Sequence, residues 1–475
     1  MASNVRTIFA NMSWLMVSQI LTSVCAFVWT ILSARYLGPS EYGIFGTAVS
    51  ISSIFGVFAT FGVFTYLVRA ISTDFENEDK YINNTLSLKI FLAIFYLFMI
   101  FITLLVLGWN RYVIGICLLY AIEYIIKTYH DVFFSSFQAH EEIKYQAITN
   151  IIITIFTLAG IVFVTFTDWG LLGITAVYLF ANFVALIYAT YAMRAHFIKP
   201  KLKFDFSFYK TLLKAGIPFA LTGLFYTIYY SIDIVMITQM STTYNAGLYN
   251  SAYKLINVLT LFYTIYTAVI FPVMSKLFEG EKDLLALSFV KSIKYLSIIT
   301  IPIAVFTCFY GYDLIGIYGA QFIEAGGVLK ILIWTVCFLF VNGACSMILN
   351  ASHEEYSVTK IYSIAAVFNI ILNLILIPRY SVYGASVATV LSEVLILILE
   401  LYMIRKIGQL PDMHLVYDIL KVCGASLILG IALYALDLNM WFAIAVSIVV
   451  YFAAIILLRT FDREDKLIVK QIIGR

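Results

Sequence analysis

The chain has 475 residues, of which 62% are hydrophobic and only 12% are charged, with a net charge of +3. Soluble domains average about 25% charged residues, so a single water-soluble core of this length cannot enclose so much apolar surface. The small net charge excludes the basic surface typical of nucleic-acid-binding proteins. The composition therefore predicts a polytopic membrane protein whose aromatic residues, 17% of the chain, form belts at the membrane interfaces.

A membrane-spanning helix needs about 20 mainly apolar residues, and about fourteen segments of the sequence meet this requirement. The first segment is too long for the apolar core of a signal peptide, so we expect it to remain as a membrane helix. The predicted segments are 8–34, 43–68, 85–107, 112–137, 145–166, 170–193, 212–237, 245–272, 288–310, 326–350, 357–377, 382–404, 417–436 and 440–458.

Basic residues give a second indication of topology, because cytoplasmic loops of membrane proteins are enriched in lysine and arginine. With the N-terminus inside, 25 of the 30 basic residues fall on the cytoplasmic side, and only Arg35, Arg111 and Arg379 fall outside. Lys254 and Lys330 lie within predicted helices. The bias predicts a multi-pass plasma-membrane protein with cytoplasmic N- and C-termini. Lysines close to predicted helix ends, Lys89, Lys291 and Lys294 among them, are counted with the cytoplasmic group.

Short motifs recur in the two halves of the chain. Gly43-Ile-Phe-Gly-Thr-Ala48 opens the second predicted helix, and Gly247-Leu-Tyr-Asn-Ser-Ala252 opens the eighth. His140-Glu-Glu142 follows the fourth helix, and His353-Glu-Glu355 follows the tenth. The number of residues between the first and second copy is nearly the same for each motif, which predicts a duplicated six-helix unit. Because six is an even number, the two copies enter the membrane from the same side, as in transporters that rock two halves around a central site.

The predicted fold class is therefore an all-α membrane protein with two parallel six-helix repeats and two additional C-terminal helices. The lysine-rich linker between the repeats is interpreted either as a solvated connector or as a contact with anionic lipid headgroups. The predicted domains are an N-terminal lobe at 1–195, a cytoplasmic linker at 196–211, a C-terminal lobe at 212–406, and two extra helices with a cytoplasmic tail at 407–475.

Several stretches resemble prokaryotic polysaccharide flippases. They are Leu37-Gly-Pro-Ser-Glu-Tyr-Gly-Ile-Phe45, Phe137-Gln-Ala-His-Glu-Glu-Ile-Lys-Tyr145, Ala246-Gly-Leu-Tyr-Asn-Ser-Ala-Tyr253, Phe271-Pro272 with Ser275 and Lys276, and most clearly Asn369 to Glu393. Family members usually carry glycine after Tyr380, where this chain has Ser381. The resemblance covers predicted helices one to twelve. It indicates the O-antigen and polysaccharide transporter branch of the multidrug/oligosaccharidyl-lipid/polysaccharide exporter superfamily.

The resemblance implies a V-shaped pair of lobes around a central cavity. It also implies that the chain flips an oligosaccharide on a polyprenyl phosphate or diphosphate to the outer leaflet by alternating access, for cell-surface polysaccharide or glycan assembly. Expected partners are membrane lipids, this substrate, and a polysaccharide polymerase or glycosyltransferases. The alternatives are a cation-coupled multidrug antiporter or a peptidoglycan-precursor flippase of the same superfamily, and a membrane scaffold that does not transport.

Motifs for enzymatic chemistry are missing from the sequence. No G-x-x-x-x-G-K-[ST] motif occurs, so direct use of ATP is not expected, and neither H-E-x-x-H nor G-x-S-x-G occurs. The six cysteines show no C-x-x-C spacing that would indicate a metal site. We expect no enzyme activity, no metal and no cofactor, and the candidate coupling ions are H⁺ and Na⁺.

Ionisable residues inside predicted spans are the candidate site residues, because a charge in hydrocarbon usually faces a cavity or a partner. Lys254 and Asp233 lie at similar depth on neighbouring helices. They are interpreted either as an ion pair between the helices, or as a phosphate contact (Lys254) and a cation-coupling residue (Asp233).

Helix four carries Glu123, Lys127 and Asp131 on one face, beside His130. This spacing is typical of a self-neutralised charge ladder, and the alternative is a path for substrate or protons. Glu393 and Glu400 lie on one face of predicted helix twelve. Glu393 is interpreted either as a carboxylate that binds the coupling ion or as a packing residue. Arg69 either contacts phosphate or extends to the headgroups.

Overall fold

A computed structural model describes residues 2–280, 282–408, 413–462 and 465. These residues form helices and connecting turns, and they contain no β-strand. The helices are α1 (Ala2–Thr60), α2 (Val63–Thr73), α3 (Glu78–Val106), α4 (Arg111–Ala139), α5 (Lys144–Thr167), α6 (Gly170–His196), α7 (Phe206–Met240), α8 (Thr243–Gly280), α9 (Lys282–Ile315), α10 (Ala325–Ala351), α11 (Glu355–Lys406), α12 (Met413–Leu436) and α13 (Met440–Leu457). The predicted all-α membrane fold is confirmed.

Within the described residues, eleven helices are long and apolar enough to cross a membrane, or twelve when the bent α8 is included. Two of the longest contain a non-helical residue, Gly38 in α1 and Ser381 in α11. Both residues lie at the boundary between two predicted spans, so α1 and α11 each consist of helical segments joined at a kink, and each covers two predicted spans. The total of fourteen spans stays a prediction.

The outer surface of the helices is apolar. On α3, for example, Phe98 is 56% exposed, Leu105 is 55% exposed and Val106 is 80% exposed. Large contiguous apolar surfaces of this kind are rare on water-soluble monomers. These side chains are therefore positioned to contact lipid acyl chains.

The chain divides into two compact units, residues 1–250 and residues 251–475. The core of the first unit contains Leu67, Ile82 and Phe137, from α2, α3 and α4. The second unit has a cluster in which α12 and α13 pack against α9, through residues including Leu429 and Tyr310. The boundary between these units lies inside α8. The predicted lobes and linker, and the division into two six-helix repeats, stay predictions.

Two backbone breaks shape the start of the first unit. Gly38 has φ 70° and ψ 171°, a conformation open to glycine, and the following Pro39 has no N–H to continue the helix. Phe61 and Gly62, both with positive φ, separate α1 from α2. The chain therefore changes direction at both points while remaining largely helical.

The backbones of α1 and α8 touch where they cross in the first unit. A Cβ atom on Gly43 would lie 1.8 Å from the carbonyl oxygen of Thr243, and one on Gly247 would lie 1.9 Å from that of Pro39. Such separations exclude any residue except glycine, and small residues are typical of close helix crossings in membranes. The two motifs that sequence analysis paired as repeats thus contact one another.

Gly247→Ala should destabilise the protein strongly, because its methyl group would overlap backbone atoms that cannot rotate away. We expect a fall of several degrees or more in the Tm of the full-length protein in detergent, measured by intrinsic fluorescence. Gly223→Ala on α7 is the matched control, since no atom lies within 4 Å of its added Cβ. Equal Tm values for the two variants would contradict the described crossing.

Ser381 has φ 50° and ψ −129°, which strains an L-residue but not glycine. Ser381→Gly should therefore raise the free energy of unfolding by about 1 kcal/mol, seen as a higher Tm. Ser381→Ala removes the hydroxyl group but keeps the Cβ, so it should not stabilise. A gain with alanine equal to that with glycine would show that the backbone conformation is not the cause.

Candidate functional site

The interior of the first unit holds several polar groups between α4 and α6. Glu123 is buried, and its Oε1 accepts a hydrogen bond of 2.8 Å from Nδ2 of Asn182 on α6. Nε2 of the buried His130 lies 3.1 Å from the carbonyl oxygen of Asn182. Asn182 thus joins Glu123 to His130, two α4 residues that sequence analysis had placed together. It was missed as a partner because a lone asparagine in an apolar segment carries no signal of what it faces.

The other two charges of this α4 face are in different surroundings. Lys127 is exposed, whereas Asp131 is half-buried. Among the described residues, no ion pair within 4.0 Å joins Lys127 to Glu123 or to Asp131. The three charges share one helix face as predicted, but direct contacts between them do not neutralise them.

Asp131 lies instead beside Lys89 of α3. Both line a small cavity of about 10 Å³ that the Thr60 and Thr85 side chains also border. Nζ of Lys89 donates a hydrogen bond of 2.9 Å to the carbonyl oxygen of Ala59. The last turn of a helix leaves carbonyl groups without helical donors and carries partial negative charge, so this lysine stabilises the end of α1.

Lys89 was counted as a cytoplasmic charge, but its side chain is only 3% exposed and therefore does not lie in a solvated loop. A signal was present, because Lys89 falls inside the predicted segment 85–107. A lysine within a span indicates an internal partner, and that partner is a main-chain carbonyl which no sequence pattern identifies.

The remaining candidates of the first unit contact residues of α7 and α8. Asp233 on α7 is buried and accepts a hydrogen bond of 2.6 Å from the hydroxyl of Tyr249. Arg69 on α2 is exposed, with its guanidinium carbon 5.9 Å from the centre of the Phe219 ring. A cation–π contact of this type holds the arginine against α7. Its proposed role toward phosphate stays a prediction.

In the second unit the buried carboxylates of α11 face polar residues of α10. Oε2 of Glu393 accepts a hydrogen bond of 2.7 Å from Nδ2 of Asn342. Seven residues on, Glu400 accepts a hydrogen bond from Ser346. Both glutamates are almost inaccessible, so this polar face of α11 is shielded from lipid. Lys254, half-buried on α8, belongs to the same unit.

A second cluster, which sequence analysis missed, lies where α9 meets the segment after α13. Lys294 contacts Asp465 at 2.7 Å and Asp418 at 2.9 Å, and Lys291 contacts Asp462 at 2.6 Å and Asp465 at 2.9 Å. Lys294 is fully buried and Lys291 is 7% exposed. Counting these two lysines as loop charges was therefore also wrong. Their acidic partners are more than 120 positions away, beyond any periodic pattern.

The lysines change the acidity of their partners. Burial alone would raise the pKa of Asp465, but hydrogen bonds from Lys294 and Lys291 outweigh burial and hold that pKa below its ordinary value. A carboxyl group with a lowered pKa stabilises the folded state above its unfolded-state pKa of about 3.9 and loses that contribution as the pH falls. We call Lys291, Lys294, Asp418, Asp462 and Asp465 the C-terminal charge cluster.

Asp465→Asn should lower the free energy of unfolding by about 3 kcal/mol at pH 7, because it removes a charge partner of a buried lysine. The measurement is Tm in detergent between pH 6 and pH 2, a range that includes the unfolded-state pKa of about 3.9 and the lower folded-state pKa. The wild-type Tm should fall more steeply with acid than that of the variant. Asp437→Asn, at an exposed position of the same unit, is the control. Parallel pH curves for Asp465→Asn and wild type would contradict the assignment.

Comparisons with known proteins agree with this architecture. The lipid II flippase MurJ, in an inward closed conformation, superimposes with a TM-score of 0.77 over 97% of this chain and 99% of that chain, at 15% sequence identity. This likeness establishes the fold. The capsular polysaccharide biosynthesis protein CapF of Staphylococcus aureus is 22% identical over 403 residues, covering 84% of this chain and 99% of the relative.

A third relative is the probable low-salt glycan biosynthesis flippase Agl15 of Haloferax volcanii. It is 24% identical over 386 residues, which cover 80% of this chain and 79% of the relative. The family model described as "Polysaccharide biosynthesis protein" matches residues 8–278, more than half of the chain. The chain is a multi-pass membrane protein and belongs to the polysaccharide biosynthesis protein family, as its motifs predicted.

Proposed function

We propose that the protein is a transporter that flips a polyprenyl-(di)phosphate-linked oligosaccharide from the cytoplasmic to the outer leaflet by alternating access. Membership of the polysaccharide biosynthesis family carries this proposal. Relatives named as flippases support it and agree with the expectation that the chain is not an enzyme. In this proposal the protein lies in the plasma membrane with both termini in the cytoplasm, and a polymerase or glycosyltransferases use its product.

Physical chemistry defines what such a transporter must supply. A sugar diphosphate cannot cross hydrocarbon unless polar groups of a protein surround it. The free energy needed to remove water from its charges and hydroxyl groups is otherwise too large. The polyprenyl tail needs no shelter, since lipid already solvates it. A half-buried lysine in an apolar helix suits the headgroup phosphate, and Lys254 is therefore our first candidate for this contact.

The return step needs a source of free energy. Moving one charge across the membrane is worth about 2.3 kcal/mol per 100 mV, enough to bias an alternating-access cycle by more than tenfold. Buried carboxylates that accept hydrogen bonds from neutral donors can carry H⁺ or Na⁺ between states. Asp233 and Glu393 have this environment, and we propose them as the coupling residues.

The test is flipping in proteoliposomes that contain the purified protein and a fluorescent polyprenyl-diphosphate oligosaccharide in one leaflet. Dithionite, which quenches only outward label, reports the flipped fraction over time. We expect flipping well above that of protein-free vesicles, and none for a quaternary ammonium dye. Faster flipping of a lipid-linked peptidoglycan precursor, or transport of the dye alone, would overturn the proposed substrate.

Lys254→Ala should reduce the initial flipping rate by at least about tenfold, the effect of losing one charged hydrogen bond to phosphate. Lys330→Ala is the matched control, because Lys330 is also a half-buried lysine in a helix of the second unit, with Nζ 4.5 Å from the Tyr312 ring centre. Both variants should retain the wild-type Tm within a few degrees. An unchanged rate for a folded Lys254→Ala protein would remove this lysine from the site.

A further inference from the structure

The connection between α6 and α7 is held in a fixed path along α3. We call residues 197–205 the strap. The backbone N–H of Lys201 donates a hydrogen bond of 2.7 Å to Oδ1 of Asn83, and the N–H of Asp205 donates one of 3.1 Å to Oδ1 of Asn84. Both asparagines are buried. Two buried side chains of α3 are therefore used to position a segment that a simple connector would leave loose.

The strap presents basic and apolar side chains in alternation. Lys199, Lys201 and Lys203 are exposed, while Leu202 is 56% exposed and Phe204 is 55% exposed. Exposed lysines therefore lie next to exposed apolar side chains along one short stretch of backbone. If Leu202 and Phe204 faced water, their exposure would be unfavourable, and no other interaction of the strap would compensate for it.

The strap lysines have no acidic partner in the part of the chain that the structure describes. Among the residues that the structure describes, none of the three lysines has an ion pair within 4.0 Å. Asp205, the nearest acidic residue in the chain, accepts a hydrogen bond from the N–H of Phe208 and caps α7. The strap therefore presents three uncompensated charges to whatever lies beside it.

The apolar side chains continue onto the spanning helices. The ring of Phe91, on α3 and 44% exposed, lies 6.4 Å from the ring of Phe204 and 6.1 Å from that of Phe206. Phe206 is the first residue of α7 and is itself 67% exposed. The strap thus joins the ends of two membrane helices, and its exposed aromatic rings and exposed lysines lie close together.

We propose that the strap is a binding surface for anionic phospholipid headgroups. The lysines contact headgroup phosphates, while Leu202, Phe204 and Phe206 insert at the boundary with the acyl chains, an arrangement typical of interfacial basic segments. This surface is independent of the transported substrate. Its occupant is a resident phospholipid of the leaflet that adjoins the strap.

The experiment compares the full-length protein in nanodiscs of phosphatidylcholine alone and of phosphatidylcholine with increasing phosphatidylglycerol. The readout is the rise in Tm with the anionic fraction, repeated at high salt. The test variant replaces Lys199, Lys201 and Lys203 with glutamine. We expect the phosphatidylglycerol fraction for the half-maximal rise to increase by at least about tenfold, or the rise to vanish, as expected for three surface lysines.

A charge-matched control replaces Lys360, Arg405 and Lys406 with glutamine, since all three are exposed in the second unit. This control should keep the wild-type response. Replacing the strap lysines with arginine should also keep it, and this variant tests the surface if the glutamine variant is unstable in neutral lipid. An unchanged response in the strap variant, or equal losses in strap and control variants, would overturn the proposal.

Discussion

The close crossing of α1 and α8 is the constraint on which the first unit depends. Lipid tails are as apolar as leucine, so helices in a membrane gain little from burying apolar surface and rely on close contact between backbones. Gly43 and Gly247 provide that contact. The same device recurs where α7 meets the break after α1, since a Cβ on Gly216 would lie 2.2 Å from the carbonyl oxygen of Phe61. Missing side chains, more than large ones, determine where these helices cross.

Buried polar groups add specificity to this packing. Lys89 meets a main-chain carbonyl, Glu123 meets an amide, and Lys294 meets two carboxylates. Leaving any of these groups unpaired away from water would cost several kcal/mol, so each contact restricts the arrangement of its helices. A charged residue inside a span can therefore stabilise the fold without contacting a substrate. Any role of Glu123 in transport involves its hydrogen bond with Asn182.

Two regions at the ends of the membrane helices use lysine in opposite ways. In the C-terminal charge cluster, lysines are buried and matched by aspartates, which fastens the last described residues to α9. In the strap, lysines are exposed and have no ion pair among the described residues, and the surrounding aromatic rings are exposed too. Burial with a partner makes a lysine part of the fold, whereas exposure without one leaves its charge available to an external anion.

Composition, hydropathy and short motifs determined the membrane class, the helical segments and the family, because these properties depend on residues close together in the chain. Segment lengths also located the breaks at Gly38 and Ser381 within a few residues. Only the tertiary structure decided which charges are internal. Lys89, Lys291 and Lys294 were counted as cytoplasmic charges although they fall inside predicted segments, because a periodic pattern reports how apolar a segment is and not what lies opposite each side chain. The partners of these lysines come from other helices, and only the folded chain brings them together.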